Sequence, residues 1–235
     1  MAIILASRLA SQEKNENGEW VSIPLKNTNS ILSNIDKFVP KTETGVLVAN
    51  DRNMYEINDS YTKLRFDSLE MSGFNFKNRI TLDGRNKNNA ETIIDAADLV
   101  FIMGGESLRQ LNFFNEINFK ELIKKYKHKK LVIGTSAGSM NLCSKVSNFI
   151  EQIQYNSIPC LYNGLGFYDD IIVPHFDGET MTNKLKSQII NPNQDIVLPD
   201  VKKRKYIGLP DSSYILLDDE SIKEFGPNFI IKEDK

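Results

Sequence analysis

The chain has 235 residues, and its 40% hydrophobic content is enough for one sizeable core. Lys+Arg 29 and Asp+Glu 31 leave a net charge of −2, so electrostatics gives no support for binding to nucleic acid or an anionic membrane. The apolar N-terminal run ends at Ala6, too short for a signal sequence, and no run approaches the roughly 18 residues of a membrane span. We therefore expect a single cytoplasmic domain over residues 1–235.

Two cysteines occur, Cys143 and Cys160, and neither belongs to a CxxC pair. A disulfide framework needs more cysteines in a shorter chain. We expect both to be reduced, mostly buried thiols, and we expect neither a metal nor a cofactor.

Apolar runs of strand length recur along the chain. Several are continuous, which is typical of strands buried on both faces in a parallel sheet. In chain order they are AIILA at 2–6, GVLVAN at 45–50, RITL at 79–82, LVFIMG at 99–104, KLVIG at 130–134, DIIVP at 170–174, KYIGL at 205–209 and SYILL at 213–217.

Helical spacing of apolar residues occurs between these runs, over 89–98, 107–126 and 137–150. Alternation of strands and helices predicts an α/β fold with a mostly parallel sheet and helices on both faces. Turn residues divide the C-terminal third into short apolar runs, which predicts antiparallel strands there. Residues 11–20 are polar and are predicted to form a loop.

The segment Gly134-Thr135-Ser136-Ala137-Gly138 follows a predicted strand and precedes a helical pattern. This is the G-x-S-x-G arrangement in its usual context of strand, tight turn and helix, which exposes a serine hydroxyl at the sheet edge. The amide of Ala137 is then a natural oxyanion donor. A glycine-rich turn with Ser136 as a helix N-cap is the alternative.

A serine nucleophile needs a base, and the chain has only two histidines. His128 lies in the cationic stretch KKYKHKK and is predicted to be on the surface. His175 follows the strand IIVP, at the carboxyl end where open α/β sheets carry their sites. Elimination therefore leaves His175 as the candidate base.

The carboxylate that would orient the base has two candidates. Asp177 is close to His175 in sequence, but it could instead cap a helix over 178–190. Asp211 ends a later strand, and we prefer it. The chain order Ser, His, Asp differs from the Ser, Asp, His order of ordinary α/β-hydrolases.

A second glycine turn, Gly104-Gly105-Glu106, also lies between a strand and a helix. The amide of Gly105 could be a second oxyanion donor. A phosphate-binding loop is the alternative, although an acidic residue directly after the glycines would repel phosphate.

These motifs together resemble the dipeptidase E and cyanophycinase family of serine peptidases: Gly-Gly ending one strand, GTSAGS ending another, a later Pro-His, and the turn GLPDSS. The resemblance covers roughly residues 45 to 217. It implies a three-layer fold like that of class I glutamine amidotransferases and hydrolysis of short peptides, as at Asp-Xaa bonds. By position it implies a Ser136, His175, Asp211 triad and an oxyanion hole of Gly105 and Ala137 amides.

Two positions differ from the family pattern. Glu106 stands where Asn or Gln is common, and Asp211 stands where Glu is frequent. We expect the Glu106 carboxylate to bind a cationic group of the substrate, although the helix dipole alone would also favour a glutamate there. Arg109 is one basic residue that could hold an acidic side chain. The expected partner is a small peptide, and the protein is a monomer or homodimer.

Two other functions fit the same residues. An esterase or amidase acting on a non-peptide substrate would use the same catalytic groups. A binding protein on the same scaffold would have a degenerate site, and the presence of serine, histidine and carboxylate at three strand ends argues against it.

Overall fold

The computed structural model describes residues 2–125, 130–147, 161–178 and 205–231. Within these residues the α-helices are α1 (Ile31–Phe38), α2 (Tyr55–Met71), α3 (Ala90–Ala96), α4 (Ser107–Glu116), α5 (Phe119–Lys125) and α6 (Ala137–Leu142). The strands are β1 (Ala2–Ala6), β2 (Gln12–Lys14), β3 (Trp20–Ser22), β4 (Thr44–Val48), β5 (Asn78–Leu82), β6 (Leu99–Ile102), β7 (Leu131–Thr135), β8 (Lys145–Ser147), β9 (Leu161–Asn163), β10 (Ile171–Pro174), β11 (Tyr206–Leu209), β12 (Tyr214–Leu217), β13 (Ile222–Phe225) and β14 (Phe229–Ile231).

The largest sheet has seven strands in the order β13-β12-β1-β7-β6-β4-β5. Its pairs from β1 to β5 are all parallel, whereas β12 pairs antiparallel with β1 and β13 antiparallel with β12. The carboxyl ends of β1, β7, β6 and β4 therefore meet at one edge, and the next residues along the chain are Ser7, Ser136, Met103 and Ala49.

The sheet has a hydrophobic core on each face. Alternate residues of β1 enter different cores: Ile3 and Leu5 pack with the side of α3 to α6, and Ile4 packs with the side of α1 and α2. Because both faces are covered, these strands are apolar without alternation. The expected three-layer α/β architecture is confirmed.

A second sheet of three strands, in the order β10-β11-β14, carries the later part of the chain. The prediction of short antiparallel strands near the C-terminus is confirmed for β12, β13 and β14. Strand β11 pairs antiparallel with β14 on one side and parallel with β10 on the other.

The helix predicted over 107–126 is two helices. The chain turns at Asn118, whose φ is 51°, so the backbone there is left-handed and α4 cannot continue into α5. Asparagine tolerates this conformation better than most residues. Apolar spacing did not reveal the break because Phe114 and Phe119 pack on each other across it, with ring centroids 4.6 Å apart.

The helix predicted over 137–150 was too long. α6 ends at Leu142, and Cys143 is extended and forms a bridge with Tyr168. Residues 145–147 then form β8, so their apolar positions pack in an antiparallel pair with β9.

The loop predicted over 11–20 contains the strand β2 and the turn of a hairpin with β3. The side chain of Asn15 stabilises this turn by accepting hydrogen bonds from the amides of Asn17 and Glu19, at 3.0 and 2.9 Å. Helix α2 was also missed, because it buries polar residues such as Asn58, Thr62 and Ser68 and lacks a clear apolar face.

Some predictions fall on residues that the structure does not describe, namely the surface position of His128, the thiol of Cys160 and the helix over 178–190. Cys143 is buried and free, and burial raises the pKa of its thiol to about 12. No helix within the described ranges is long and apolar enough to cross a membrane. The assignment of residues 1–235 to one domain stays a prediction.

Candidate active site

Ser136 lies at the sharp turn between β7 and α6. Its φ of 52° and ψ of −119° are unusual for a residue with a side chain. Hydrogen bonds to the end of β1 stabilise the turn, because the Ser136 amide donates to the carbonyls of Ala6 and Ser7 at 3.1 and 3.0 Å. Ser136 is therefore fixed in a strained conformation at the carboxyl edge of the sheet, as the motif predicts.

The flanking glycines make the turn possible by close packing. A Cβ on Gly134 would lie 2.8 Å from the carbonyl carbon of Gly138, and a Cβ on Gly138 would lie 2.8 Å from the Ile102 side chain. Neither glycine has a positive φ, so the left-handed residue of the turn is Ser136 itself. The glycines are needed because β7, α6 and β6 approach each other without room for a side chain.

His175 and Asp211 reach Ser136 from the ends of β10 and β11. His175 Nε2 lies 2.9 Å from Ser136 Oγ, and His175 Nδ1 lies 2.7 Å from Asp211 Oδ1. An ionised carboxylate only accepts hydrogen bonds, so Nδ1 carries the proton and Nε2 accepts from the serine hydroxyl. Of the two candidate carboxylates, Asp211 contacts the imidazole, while the Asp177 side chain is exposed.

The environment of Asp211 favours its ionised form. The hydrogen bond from His175 is the largest cause of the lowered Asp211 pKa. Burial is the second-largest cause and opposes it, while Ser7 and Arg8 lower the pKa by smaller amounts. Arg8 Nη1 lies 3.8 Å from Asp211 Oδ2. Asp211 is therefore a carboxylate at neutral pH, able to stabilise a positive charge on the imidazole.

Ser7 joins these residues, and sequence reasoning missed it. Its buried hydroxyl donates to Asp211 Oδ1 at 3.1 Å and accepts from the His175 backbone amide at 2.8 Å. The one available signal was position, because Ser7 follows an apolar run whose carboxyl end lies at the same sheet edge as Ser136.

Of the two predicted oxyanion donors, Ala137 follows Ser136 in the chain and Gly105 lines the same cavity as Ser136. Ala137 begins α6, so its amide belongs to the first helical turn, where no carbonyl within the helix can accept it. Gly104 and Gly105 follow β6. A Cβ added to Gly104 would lie 3.1 Å from Ser136 Cβ and 3.8 Å from Ser136 Oγ. The role of these two amides in binding an oxyanion stays a prediction.

Glu106 is held by its neighbours. Its backbone exchanges two hydrogen bonds with the Asn50 side chain, and its carboxylate pairs with Arg109 at 2.9 Å. Arg109 also pairs with Asp51 at 2.7 Å. A substrate cation at Glu106 would have to share that carboxylate with Arg109, and an acidic group at Arg109 would compete with Asp51 and Glu106.

A cavity of about 450 Å³ opens beside Ser136 and His175. This volume lies within the range of small-molecule sites. It runs over the carboxyl ends of β1, β4, β6 and β7 towards α2 and the β2–β3 hairpin. Its lining includes Arg8, Asn50, Asp51, Arg65, Gly104 and Gly105. Neither Glu106 nor Arg109 lines it.

No group of three or more metal-ligating side chains occurs among the residues that the structure describes. The groups in contact at Ser136 are a hydroxyl, an imidazole and a carboxylate. Such groups perform acyl transfer through a covalent intermediate.

A sequence model of peptidase family S51 matches residues 25–225. The chain belongs to peptidase family S51. The resemblance to the dipeptidase E family that the motifs indicated is thereby confirmed, and the match contains Ser136, His175 and Asp211. Among curated proteins, none matches this S51 peptidase significantly.

Solved structures resemble this S51 peptidase in fold. A peptidase from an acI-B1 Actinobacterium has a TM-score of 0.65 at 14% identity, with 98% of this chain and 90% of that one covered. A Listeria monocytogenes EGD-e protein assigned to peptidase E has a TM-score of 0.61 at 14% identity, with 95% and 96% covered. At this identity the similarity concerns the fold.

Proposed function

We propose that this S51 family member is a serine peptidase that hydrolyses short peptides with Ser136 as nucleophile, His175 as base and Asp211 as orienting carboxylate. The observation that carries the proposal is the continuous contact from Asp211 through His175 to Ser136 at the edge of a cavity. Both contacts have hydrogen-bond length, and each atom has the chemistry that its role needs.

In the first half of the reaction, Ser136 Oγ forms a bond to the peptide carbonyl carbon while its proton passes to His175 Nε2. The tetrahedral intermediate then breaks its C–N bond, and His175 returns that proton to the leaving nitrogen. Asp211 holds the imidazole through Nδ1 and stabilises its transient positive charge.

In the second half, water attacks the acyl group on Ser136 and gives a proton to His175. The ester bond breaks, Ser136 recovers its proton and the acid leaves. The amides of Ala137 and Gly105 would stabilise the negative oxygen in both halves, a contribution of about 3–4 kcal/mol for one preorganised donor in such sites.

The family resemblance favours Asp-Xaa bonds as the substrate. Glu106, which follows the cavity-lining Gly105 without lining the cavity itself, would bind the substrate's amino group or a basic side chain, in competition with Arg109. A KM that stays unchanged for every cleaved peptide in Glu106→Gln would refute this role of Glu106.

Labelling with a fluorophosphonate probe tests the proposed nucleophile. We expect the wild type to label, Ser136→Ala to lose all labelling, and His175→Ala to label at least about a hundredfold more slowly because the serine has lost its base. Ser60→Ala is the matched control, since Ser60 is an exposed serine on α2 outside the cavity lining.

The control should label like the wild type. A wild type that does not label, or a Ser136→Ala variant that still does, would refute the proposal. Hydrolysis of p-nitrophenyl esters without cleavage of any peptide in a dipeptide panel would instead indicate an esterase.

A further inference from the structure

Gly104 and Gly105 lie in the turn between β6 and α4, and the Gly105 amide is one of the two predicted oxyanion donors. Gly105 has a φ of 133°, which residues with a side chain rarely adopt. Among the described residues, neither of these two amides has a backbone carbonyl as its acceptor. Because consecutive glycines rotate freely, the direction of the Gly105 N–H has to be fixed by another group.

The chain is anchored on both sides of the two glycines. Before them, the Met103 amide donates to the Val48 carbonyl at 3.1 Å, and the Met103 carbonyl accepts from the buried side-chain amide of Gln110 at 2.7 Å. After them, the Glu106 carbonyl accepts from the backbone amide of Gln110 at 3.2 Å, in the first turn of α4. The rotational freedom of the turn therefore lies in the two glycines between these anchors.

The side chain of Asn50 bridges the gap that opens beyond the end of the β4–β6 pairing. Its Nδ2 donates to the Glu106 carbonyl at 2.9 Å, and its Oδ1 accepts from the Glu106 amide at 3.1 Å. The Glu106 amide belongs to the peptide group that joins Gly105 to Glu106. Asn50 therefore fixes the orientation of the peptide group that directly follows Gly105.

Asn50 also packs directly against Gly105. A Cβ on Gly105 would lie 2.4 Å from Asn50 Cγ, so this close approach requires a glycine. Asn50 is half-buried and lines the same cavity as Gly105 and Ser136. Its neighbour Ala49 is buried and donates to the Leu82 carbonyl at 3.0 Å, which anchors the backbone that carries the Asn50 side chain. Both hydrogen bonds and contact therefore restrict the conformation of Gly105.

We propose that Asn50 is a positioning residue of the reaction, which orients the Gly105 amide towards the oxyanion that forms when Ser136 attacks. This inference rests on the proposed function, in which the Gly105 and Ala137 amides stabilise the tetrahedral intermediate. A donor stabilises the transition state most when its direction is set beforehand, because the site then does not have to reorganise. Asn50 also occupies the Glu106 amide, which removes that amide from the possible oxyanion donors of this turn.

The rate of fluorophosphonate labelling tests this role. In that reaction Ser136 Oγ forms a bond to phosphorus, fluoride leaves and the serine proton passes to His175, while the phosphoryl oxygen takes the place of the oxyanion. Loss of one oxyanion donor lowers kcat by about 10²–10³-fold in such sites, so we expect a misaligned donor in Asn50→Ala to slow labelling about tenfold or more. The kcat on a cleaved peptide should fall similarly, with little change in KM.

A second reaction at the same position separates the orientation of the amide from damage to the nucleophile. In Ser136→Cys, iodoacetamide is attacked at a saturated carbon: a C–S bond forms, iodide leaves, the thiol proton passes to His175 and no oxyanion develops. Asn50→Ala added to Ser136→Cys should therefore leave the alkylation rate at residue 136 unchanged, as measured by mass spectrometry. Asn53→Ala is the matched control, since Asn53 is exposed and outside the lining of this cavity, and it should change neither rate.

Labelling of Asn50→Ala at the wild-type rate would overturn the inference, and so would an equal fall in the fluorophosphonate and iodoacetamide rates. A wild type that does not label refutes the proposed function, and this inference with it.

If urea unfolding shows that Asn50→Ala is poorly folded, Asn50→Asp takes its place. Its carboxylate keeps the size of the side chain and the acceptor for the Glu106 amide, but it cannot donate to the Glu106 carbonyl. This variant should also label more slowly than the wild type, and its iodoacetamide rate in Ser136→Cys measures what the added charge does to the nucleophile. Labelling of Asn50→Asp at the wild-type rate would likewise overturn the inference.

Discussion

Ser7 is a positioning residue for the candidate triad. Its hydroxyl is buried at the end of β1, where it donates to Asp211 and accepts from the His175 amide. One hydroxyl thus fixes the carboxylate and the backbone that carries the imidazole. Loss of such a shared group leaves the His175 amide without this partner.

We therefore expect Ser7→Ala to lower kcat about tenfold or more while KM changes little, because hydrogen bonds to charged groups contribute about 1.5–3 kcal/mol. Ser7→Thr, which keeps the hydroxyl, should recover part of the loss. Steady-state kinetics on a cleaved peptide would measure both variants. Equal reductions for alanine and threonine would indicate that packing, not the hydroxyl, matters at this position.

Backbone strain is concentrated at and beside the residues of the candidate triad. Six residues other than glycine have a positive φ in the described part of the chain, and three of them are Ser136, His175 and Ser212, which follows Asp211. Such conformations cost of order 1–3 kcal/mol each and persist where the surroundings impose them. The site is therefore held in place by the packing around it.

The break between α4 and α5 illustrates how an element boundary is set by one residue. Asn118 is exposed and left-handed, and its carbonyl accepts from the amides of Glu121 and Leu122 in the next helix. The break lets Phe114 and Phe119 both enter the core with almost no exposure. In one continuous helix, Phe114 and Phe119 would project from different sides of the helix axis.

We expect Asn118→Val to lower the free energy of unfolding by about 1–2 kcal/mol, since a β-branched residue is strained at positive φ. Asn118→Gly should be neutral or stabilising because glycine adopts this conformation freely. Urea unfolding of the two variants beside the wild type would measure the difference. A valine variant as stable as the glycine variant would contradict the role given to the left-handed turn.

At the scale of the whole molecule, the candidate site joins two sheets. Ser136 and Ser7 come from the seven-stranded sheet, whereas His175 and Asp211 follow strands of the three-stranded sheet. The hydrogen bonds that Ser7 and Ser136 form with these two residues cross from one sheet to the other. The protonation state of Asp211 therefore bears on the contact between the sheets.

The lowered pKa of Asp211 predicts how its contribution to stability depends on pH. A carboxyl with a folded pKa below its unfolded value stabilises the fold above the unfolded pKa of about 3.9, and this contribution is lost as pH falls through the folded pKa. The difference in free energy of unfolding between wild type and Asp211→Asn should thus be constant near neutral pH and shrink on acidification. Urea unfolding across that pH range would measure it, and a difference independent of pH would contradict the prediction.

The sequence by itself determined the positions of the buried strands and two of the candidate catalytic residues, because both depend on residues that are close together in the chain. Continuous apolar runs located β1, β4, β6, β7, β10 and β12 to within about two residues. Strands that are buried on both faces need apolar side chains at successive positions, so they are visible in the sequence. The glycine turn around Ser136 and the scarcity of histidine selected Ser136 and His175 as candidates. The same motifs indicated the family that the family model then established.

Tertiary structure alone decided what depends on residues that are distant in the chain. It placed Asp211 rather than Asp177 on His175, and it brought in Ser7, 204 positions away from Asp211 in sequence. It paired Arg109 with Asp51 and Glu106 and placed Arg65 in the lining of the cavity. No local sequence pattern indicates either arrangement. Hydrogen bonds, ion pairs and desolvation act across space, so the partners of a charged group are fixed only when the sheets, helices and hairpin have come together.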